Sequence, residues 1–196
     1  MANENIVARL LKLNRGKQLA FGLLTAERFF KAYRFFSEKM EFGNVSHLLE
    51  AMALIESAAL GEKPDAELVK ACSKKVKDSI PDLDTGTDTH FLGMCAGEII
   101  FYSLSLTGTF KAEELESVCS SGINIIECLV LSITDDFDEE KVYAHPLMKE
   151  ELAFQEGITS YLEKIQVLDI GDIETLRQMQ TDSGFSKLNL AEAVAE

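Results

Sequence analysis

Tryptophan is absent from this sequence, proline occurs only three times, and basic residues are scarce. The chain has 19 Lys and Arg against 33 Asp and Glu, which gives a formal net charge of −14. Nucleic acids and anionic membranes both attract proteins chiefly through Lys and Arg. We therefore expect neither a nucleic-acid partner nor a membrane partner.

Signals for export and membrane insertion are also missing from the sequence. The N-terminal residues contain no apolar core followed by a small-residue cleavage site, so no signal peptide is predicted. The longest apolar run, residues 91–106, is interrupted by Glu98 and is shorter than the roughly 20 residues that span a bilayer. The four cysteines show no Cys-x-x-Cys spacing and lie among apolar residues, so reduced core thiols are expected. These features together predict a cytoplasmic protein.

The apolar residues recur at intervals of three and four along nearly the whole chain, which is the spacing of an amphipathic helix. No alternating strand pattern of useful length and no internal repeat is present. The predicted fold is therefore all-α, a single compact bundle of about seven or eight helices over residues 1–196. Residues 91–106 are predicted to form its central buried helix. Residues 187–196 are expected either to be helical or to fray as a C-terminal tail.

Capping residues and glycines predict where several helices begin and end. A short first helix is predicted to close near Arg15-Gly16, and the long helix that follows is either continuous or bent near its middle. The acidic segment 134–141 is predicted to be a solvated loop. His145-Pro146 is predicted to begin a helix, because Pro suits the first helical position. Gly171 is predicted to begin the last clear helix and Gly184 to end it.

Residues 80–90 contain the densest group of possible metal ligands in the sequence. These ligands are Asp82, Asp84, Asp88 and His90. An EF-hand loop counted from Asp82 needs Gly at its sixth position and Glu at its twelfth, but Thr87 and Gly93 occupy those positions. A helix start explains the segment better, since Asp88 or Thr89 can accept hydrogen bonds from free backbone N–H groups. We therefore predict a helix start without a metal ion, and no cofactor.

Three glutamates, Glu56, Glu98 and Glu127, lie on apolar helical faces, where an isolated carboxylate is costly unless it is paired, protonated or metal-bound. One alternative is internal pairing with Arg28, a Lys or a Tyr hydroxyl. The other is a pocket around Glu98. The candidate residues of that pocket are Glu98, Arg28, Asp82, Asp88 and His90. A helical di-iron site would need two Glu-x-x-His pairs, and the sequence contains none.

Motifs of known enzyme classes are absent, since the sequence has no Walker loop, dinucleotide fingerprint or nucleophile elbow. Gly93 and Gly97 allow another helix to approach closely, either within the bundle or between subunits. The leading hypothesis is a non-catalytic protein that acts through protein contacts, as a homo-oligomer (a dimer) or with another protein partner. The rival hypothesis is an enzyme, or a small-molecule- or metal-binding protein, with a carboxylate pocket around Glu98.

Four segments occur in an order and spacing that are specific when taken together. They are QLAFGLLTAERFFKAYRFF at 18–36, IPDLD at 80–84, the apolar segment that carries Glu98, and HPLMKEELAFQ at 145–155. Over most of its length the chain thereby resembles a bacterial family of unknown function, the YjaG-like proteins (domain-of-unknown-function family 416). The chain lacks the Trp that the family's third helix often carries, and Ser-Lys-Leu-Asn at 186–189 replaces a frequent Ser-Asn-Ile-Gly. The resemblance implies a compact helical protein and supplies no catalytic residues.

Overall fold

The helical spacing of the sequence is realised in the three-dimensional structure, a computed structural model that describes residues 2–82, 86–108, 111–134, 137–180 and 184–194. Within these ranges the chain forms eleven α-helices and no β-strand. Their bounds are Ala2–Leu10 (α1), Arg15–Met40 (α2), Val45–Ala59 (α3), Ala66–Lys77 (α4), Asp88–Ser105 (α5), Ala112–Thr134 (α6), Glu139–Ala144 (α7), Pro146–Lys164 (α8), Ile170–Gln178 (α9), Gly184–Lys187 (α10) and Leu190–Ala193 (α11). The predicted all-α fold is confirmed.

Helices α2 and α5 form the centre of the bundle. Helix α2 packs against α3, α5, α6 and α8, and α5 packs against α2, α3, α4 and α6. Four of the five largest fully buried side chains, Tyr33, Phe21, Phe29 and Phe36, come from α2. Gly93 of α5 contacts the Phe36 ring so closely that a Cβ atom there would lie 2.2 Å from it, so this glycine serves packing inside the bundle. Helix α5 is the predicted central helix, although one of its faces remains partly exposed.

Basic side chains of α2 stabilise the carboxyl ends of other elements. The guanidinium of Arg15 donates hydrogen bonds to the Leu106 carbonyl at the end of α5, with Nη2 at 2.6 Å. The ammonium of Lys17 donates to the Ile165 carbonyl at the end of α8, also at 2.6 Å. Both carbonyls would otherwise lack a helical partner, and a cation is favourable at a helix C-terminus. Two of the few basic residues are thereby committed to the fold.

The predicted helix boundaries differ from the observed ones at several places. Helix α2 is continuous and begins at Arg15, with four residues between it and the end of α1, because the Asn14 side chain accepts a hydrogen bond from Lys17 N. Helix α9 begins at Ile170 with Asp169 as its N-cap and ends at Gln178. Gly184 begins α10 and does not end α9, which corrects the sequence-based prediction.

Three short helices raise the helix count above the predicted seven or eight. Helix α7 begins at Glu139, inside the segment predicted as an acidic loop, and runs to Ala144, which corrects that prediction for residues 139–141. Its N-cap Asp138 accepts a hydrogen bond from Glu140 N. Helices α10 and α11 have four residues each, which is too short for a periodic apolar pattern. Leu190 and Val194 of the C-terminal tail are buried, and α11 packs against α2 and α6. The described part of the tail is therefore helical and docked.

Helix α6 carries apolar residues outside its buried face as well as on it. By length and composition alone it is the one helix of the described ranges that could cross a membrane, but 56% of its apolar stretch is buried within the bundle. Core helices of soluble proteins meet the same criterion. The buried part includes Leu115, Ile126 and Leu129, whereas Leu131 is only partly buried.

Candidate functional sites on α5 and α6

The five residues of the predicted pocket are distributed over three places in the fold. Asp82 and Glu98 line a cleft of about 550 Å³ between the end of α4 and α5. Asp88 and His90 line a second cleft of about 780 Å³ between the start of α5 and α6. Arg28 lies elsewhere, in an ion-pair cluster between α2 and α8. The five side chains therefore do not converge on one cavity.

The outward side of α5 carries a continuous row of partly buried residues, which we call the α5 stripe. Its members are Phe91, Met94, Glu98, Phe101 and Tyr102. They follow one another at intervals of three and four, so they lie on one helical face. Four of the five are apolar or aromatic. The α5 stripe is thus a partly exposed, largely apolar face on a helix whose other sides are packed inside the bundle.

Glu98 is half-buried on this stripe and faces the first cleft. The Ser121 hydroxyl donates to its Oε2 at 3.5 Å, which is a long hydrogen bond. Burial raises the pKa of Glu98, and the hydrogen bond from Ser121 only partly opposes this effect. Within the described ranges no ion pair involves Glu98, although Lys77 lines the same cleft. Glu98 is therefore neither closed into the core nor neutralised by an arginine.

The second cleft lies at the start of α5, and we call it the Asp88–Glu127 cleft after its two carboxylates. Asp88 occupies the first turn of α5, and its Oδ2 accepts a hydrogen bond of 2.6 Å from Ser132 of α6. Glu127 of α6 lines the cleft together with the rings of Phe91 and Phe137. No lysine or arginine is among the described residues that line it. The Asp88–Glu127 cleft is therefore acidic and aromatic.

Thr87 caps α5, one residue before the two candidates that the sequence indicated. Its backbone is extended and its hydroxyl accepts from His90 N at 3.4 Å. The ring of His90 packs edge-on against Phe36, with ring centroids 5.7 Å apart. Asp88 and Thr89 both belong to the helix itself, so neither is the cap that the sequence predicted. Asp84, the remaining candidate ligand, lies outside the described residues.

Arg28 forms the most deeply buried ion pair of the described chain. Its Nε donates to Glu151 Oε2 at 2.7 Å, and its Nη2 donates to Glu150 Oε1 at 2.8 Å. The guanidinium also stacks on the Phe154 ring, 4.4 Å from its centroid. Burial raises the pKa of Glu151, and Arg28 opposes this effect. The pKa of Glu150, in contrast, is lowered. Burial alone would raise it, but the hydrogen bonds that Glu150 accepts, including one from Arg28, outweigh that effect.

The three glutamates singled out from the sequence have different environments. Glu56 is paired, since Arg177 Nη1 lies 3.0 Å from its Oε1, although the partner is not one of those expected. Glu98 and Glu127 line clefts. Glu151, which the sequence analysis missed, meets the same criterion as Glu98. It is fully buried, and its neighbours three and four residues away are apolar except for Gln155.

Cysteine and serine chemistry has little support in the described part of the chain. The four cysteines are free, as predicted, and burial raises the pKa of Cys95 and of Cys128 to about 12. Such thiols are protonated at neutral pH and are poor nucleophiles. His47 Nδ1 lies 3.2 Å from the Ser79 hydroxyl, but that hydroxyl is buried and donates to the Lys75 carbonyl. Within the described ranges, no three His, Cys, Asp or Glu residues are arranged to hold a metal ion.

The fold and its clefts define an all-α helical-bundle protein with two open, carboxylate-lined concavities on the sides of α5. The chain belongs to the family described as "Protein of unknown function (DUF416)", whose family model matches residues 5–191. This match confirms the family resemblance drawn from the four sequence segments.

A solved structure supports the same assignment of the fold. The crystal structure of a DUF416 family protein from Shewanella baltica OS155, at 1.91 Å resolution, is similar to this chain with a TM-score of 0.78 and 22% sequence identity. The similarity covers 91% of this chain and 94% of that chain. At this identity the likeness establishes a common fold and carries no statement about activity. No curated protein matches the chain.

Proposed function

We propose that the protein is a non-catalytic cytoplasmic protein that acts through protein contacts, and that it associates as a homodimer through the α5 stripe. The carrying observation is the partly exposed apolar row on α5. Met and aromatic residues are enriched at protein interfaces, and contiguous apolar surface on a folded chain marks an interaction site. Phe91, Met94, Phe101 and Tyr102 are residues of these types, and each of these side chains is only partly buried.

A second copy of the chain is the occupant that the charges near the stripe favour. An isologous interface uses the same surface patch on both subunits, so that patch must be complementary to itself. The cleft beside the stripe is lined by Lys77 as well as by Asp82 and Glu98. When two identical faces meet, positive groups of one copy can therefore lie opposite negative groups of the other. A purely acidic face would repel its own copy.

Light scattering coupled to size exclusion, at micromolar protein concentration, tests the proposal. We expect twice the 21.7 kDa of one chain for the wild type. Met94→Glu places a charge on the stripe and should yield a monomer with an unchanged circular dichroism spectrum. Leu68→Glu is the matched control, because Leu68 is 52% exposed near the start of α4, whereas Lys77 at the other end of that helix lines the first cleft. This variant should remain dimeric. A wild-type mass of one chain would refute the homodimer.

The alternative function, an enzyme or a small-molecule- or metal-binding protein with a pocket around Glu98, rests on one observation. Glu98 is a half-buried carboxyl with a raised pKa, and it faces an open cleft without an ion pair in the described structure. Native mass spectrometry of the freshly purified protein tests this alternative. The alternative function predicts a bound molecule or metal on the wild type and on the exposed control Glu67→Gln. It predicts none on Glu98→Gln. If each of the three proteins has the mass of its polypeptide alone, the alternative is rejected.

A further inference from the structure

We propose that the Asp88–Glu127 cleft binds an organic ammonium ion that carries an apolar or aromatic body. Its volume of about 780 Å³ falls within the range of about 300–1,000 Å³ that is usual for small-molecule sites. The site does not involve the first cleft, and it shares only Phe91 with the α5 stripe.

The two carboxylates lie on different helices and face the same concavity. Asp88 uses one oxygen to accept from Ser132, which leaves its second oxygen for a ligand. Glu127 forms no ion pair with any described residue, and it is half-buried at the wall of the cleft. The described residues that line the cleft include these two carboxylates and no Lys or Arg. On a chain of net charge −14 they create a negative potential that attracts cations.

The apolar lining defines the remainder of the ligand. Phe91 and Leu131 form a partly buried apolar wall, and the ring of Phe137 is 79% exposed at the cleft. An exposed phenyl ring is a face on which an ammonium ion can be placed, because the ring quadrupole attracts cations. An apolar body next to the charged group would also cover surface that is now in contact with water.

The helix ends at the cleft are compatible with a cation. Leu131 and Ser132 belong to the last turns of α6, whose carbonyl end is the negative end of the helix dipole, and no Lys or Arg occupies its last turn. The start of α5 is the positive end of its own dipole, but Asp88 in its first turn offsets that charge. An anion would meet two carboxylates and is disfavoured.

A bare metal ion fits this cleft less well than an ammonium ion. Calcium requires about six to eight oxygen ligands, whereas the cleft offers two carboxylates. His90 and Cys128 also line it, but the described residues contain no three-membered group of ligating side chains at metal-binding geometry. An ammonium ion needs only one or two carboxylate acceptors and a ring face, which the cleft provides.

Titration of the ¹⁵N-labelled protein with 2-phenylethylamine, followed by NMR, tests the proposal. We expect saturable shifts of amide signals from the start of α5 and the second half of α6. The neutral analogue 2-phenylethanol should give no saturable shifts. Glu127→Gln and Asp88→Asn should each raise the Kd about tenfold, as expected for the loss of one charged contact. Glu67→Gln, which removes the same charge from an exposed position on α4, should leave the Kd unchanged.

Additional titrations identify the source of the cation and distinguish binding at this cleft from self-association. N-acetyl-lysine methylamide, titrated in parallel, represents a lysine side chain of a protein partner, and tighter binding than that of 2-phenylethylamine would assign the ammonium group to such a chain. Met94→Glu should still bind 2-phenylethylamine saturably, because Met94 does not line the cleft. Equal binding of the alcohol and the amine, no saturable binding of either amine, or a wild-type Kd in Glu127→Gln would overturn the proposal. Glu127→Gln leaves the start of α5 intact, so a folding defect in Asp88→Asn would not obscure the result.

Discussion

Arg28 and Glu151 form a buried ion pair that joins α2 to α8, with Nε and Oε2 2.7 Å apart and side-chain exposures of 2% and 0%. They lie 123 residues apart in the sequence. Gln155 also donates to the Glu151 carboxylate at 2.9 Å, so this buried charge has partners on two helices. The sequence made Arg28 a candidate pocket residue. Its buried ion pair with Glu151 instead gives it a structural role.

Removal of the arginine from this pair should destabilise the protein strongly. Arg28→Met keeps most of the packing volume but leaves Glu151 buried without a cation, and we expect a loss of about 3–5 kcal/mol in the free energy of unfolding. Arg34→Met is the control, since Arg34 is 59% exposed and its contact with Glu38 is 3.5 Å long. Its loss should not exceed about 0.5 kcal/mol. Urea unfolding measures both, and equal losses would contradict the buried-pair interpretation.

Two helical glycines should respond to alanine substitution with opposite signs. A Cβ atom on Gly93 would lie 2.2–2.7 Å from the Phe36 ring, so Gly93→Ala should lose about 1–3 kcal/mol through overpacking. A Cβ on Gly157, in α8, would meet only Met179 Cε at 3.7 Å. Gly157→Ala should therefore gain up to about 1 kcal/mol from the higher helix propensity of alanine. Thermal unfolding of both variants measures the sign of each stability change. A stabilised Gly93→Ala would contradict the close contact between Gly93 and the Phe36 ring.

The helices were predictable from the sequence because each long one must bury one face, which imposes a periodic apolar pattern. The helix start at His145 was predicted from the sequence, and its side chain does accept a hydrogen bond from Leu147 N. Asn14 and Asp65 cap α2 and α4 in the same way. The predicted cap of α5 was Asp88 or Thr89, whereas the observed cap is Thr87. All three residues are of types that can cap a helix, so the sequence could not distinguish them. Short helices such as α11 carry too little pattern to be recognised.

The arrangement of the candidate sites was not predictable, because it depends on how the helices pack. Glu98 was singled out by its apolar neighbours, and its half-buried position agrees with that signal. The spacing along the chain could not separate it from Asp88, which lies on the same helix but faces a different cleft. Nor could the sequence pair Arg28 with Glu151, since contacts between distant segments leave no local pattern.

The C-terminal tail should contribute to stability, since its apolar residues are docked. Leu190 is 3% exposed, and Leu190→Ala should lose about 2 kcal/mol or more in the free energy of unfolding. The control Leu68→Ala removes the same atoms from a side chain that is 52% exposed and should lose less than about 0.5 kcal/mol. Chemical denaturation compares the two variants. Equal small losses would indicate a frayed tail and contradict the docked helix.

Glu98 gives the stability of the protein a pH dependence of definite sign. Burial raises the pKa of Glu98 in the folded chain above its unfolded value, so ionisation of this carboxyl destabilises the folded state as pH rises through the raised pKa. Glutamine does not ionise. Glu98→Gln should therefore be more stable than the wild type at neutral pH, and the difference should vanish below the ordinary carboxyl pKa. Urea unfolding between acid and neutral pH measures this difference.

Glu50 supplies the control of opposite sign for this measurement. The hydrogen bond from Lys75, 2.9 Å long, lowers the pKa of Glu50 in the folded state. Its ionised form therefore contributes stability above the unfolded pKa, and that contribution is lost as pH falls through the folded pKa. Glu50→Gln should be slightly less stable than the wild type at neutral pH and equal to it in acid. A Glu98→Gln variant that behaves like Glu50→Gln would mean that a cation pairs with Glu98 in solution.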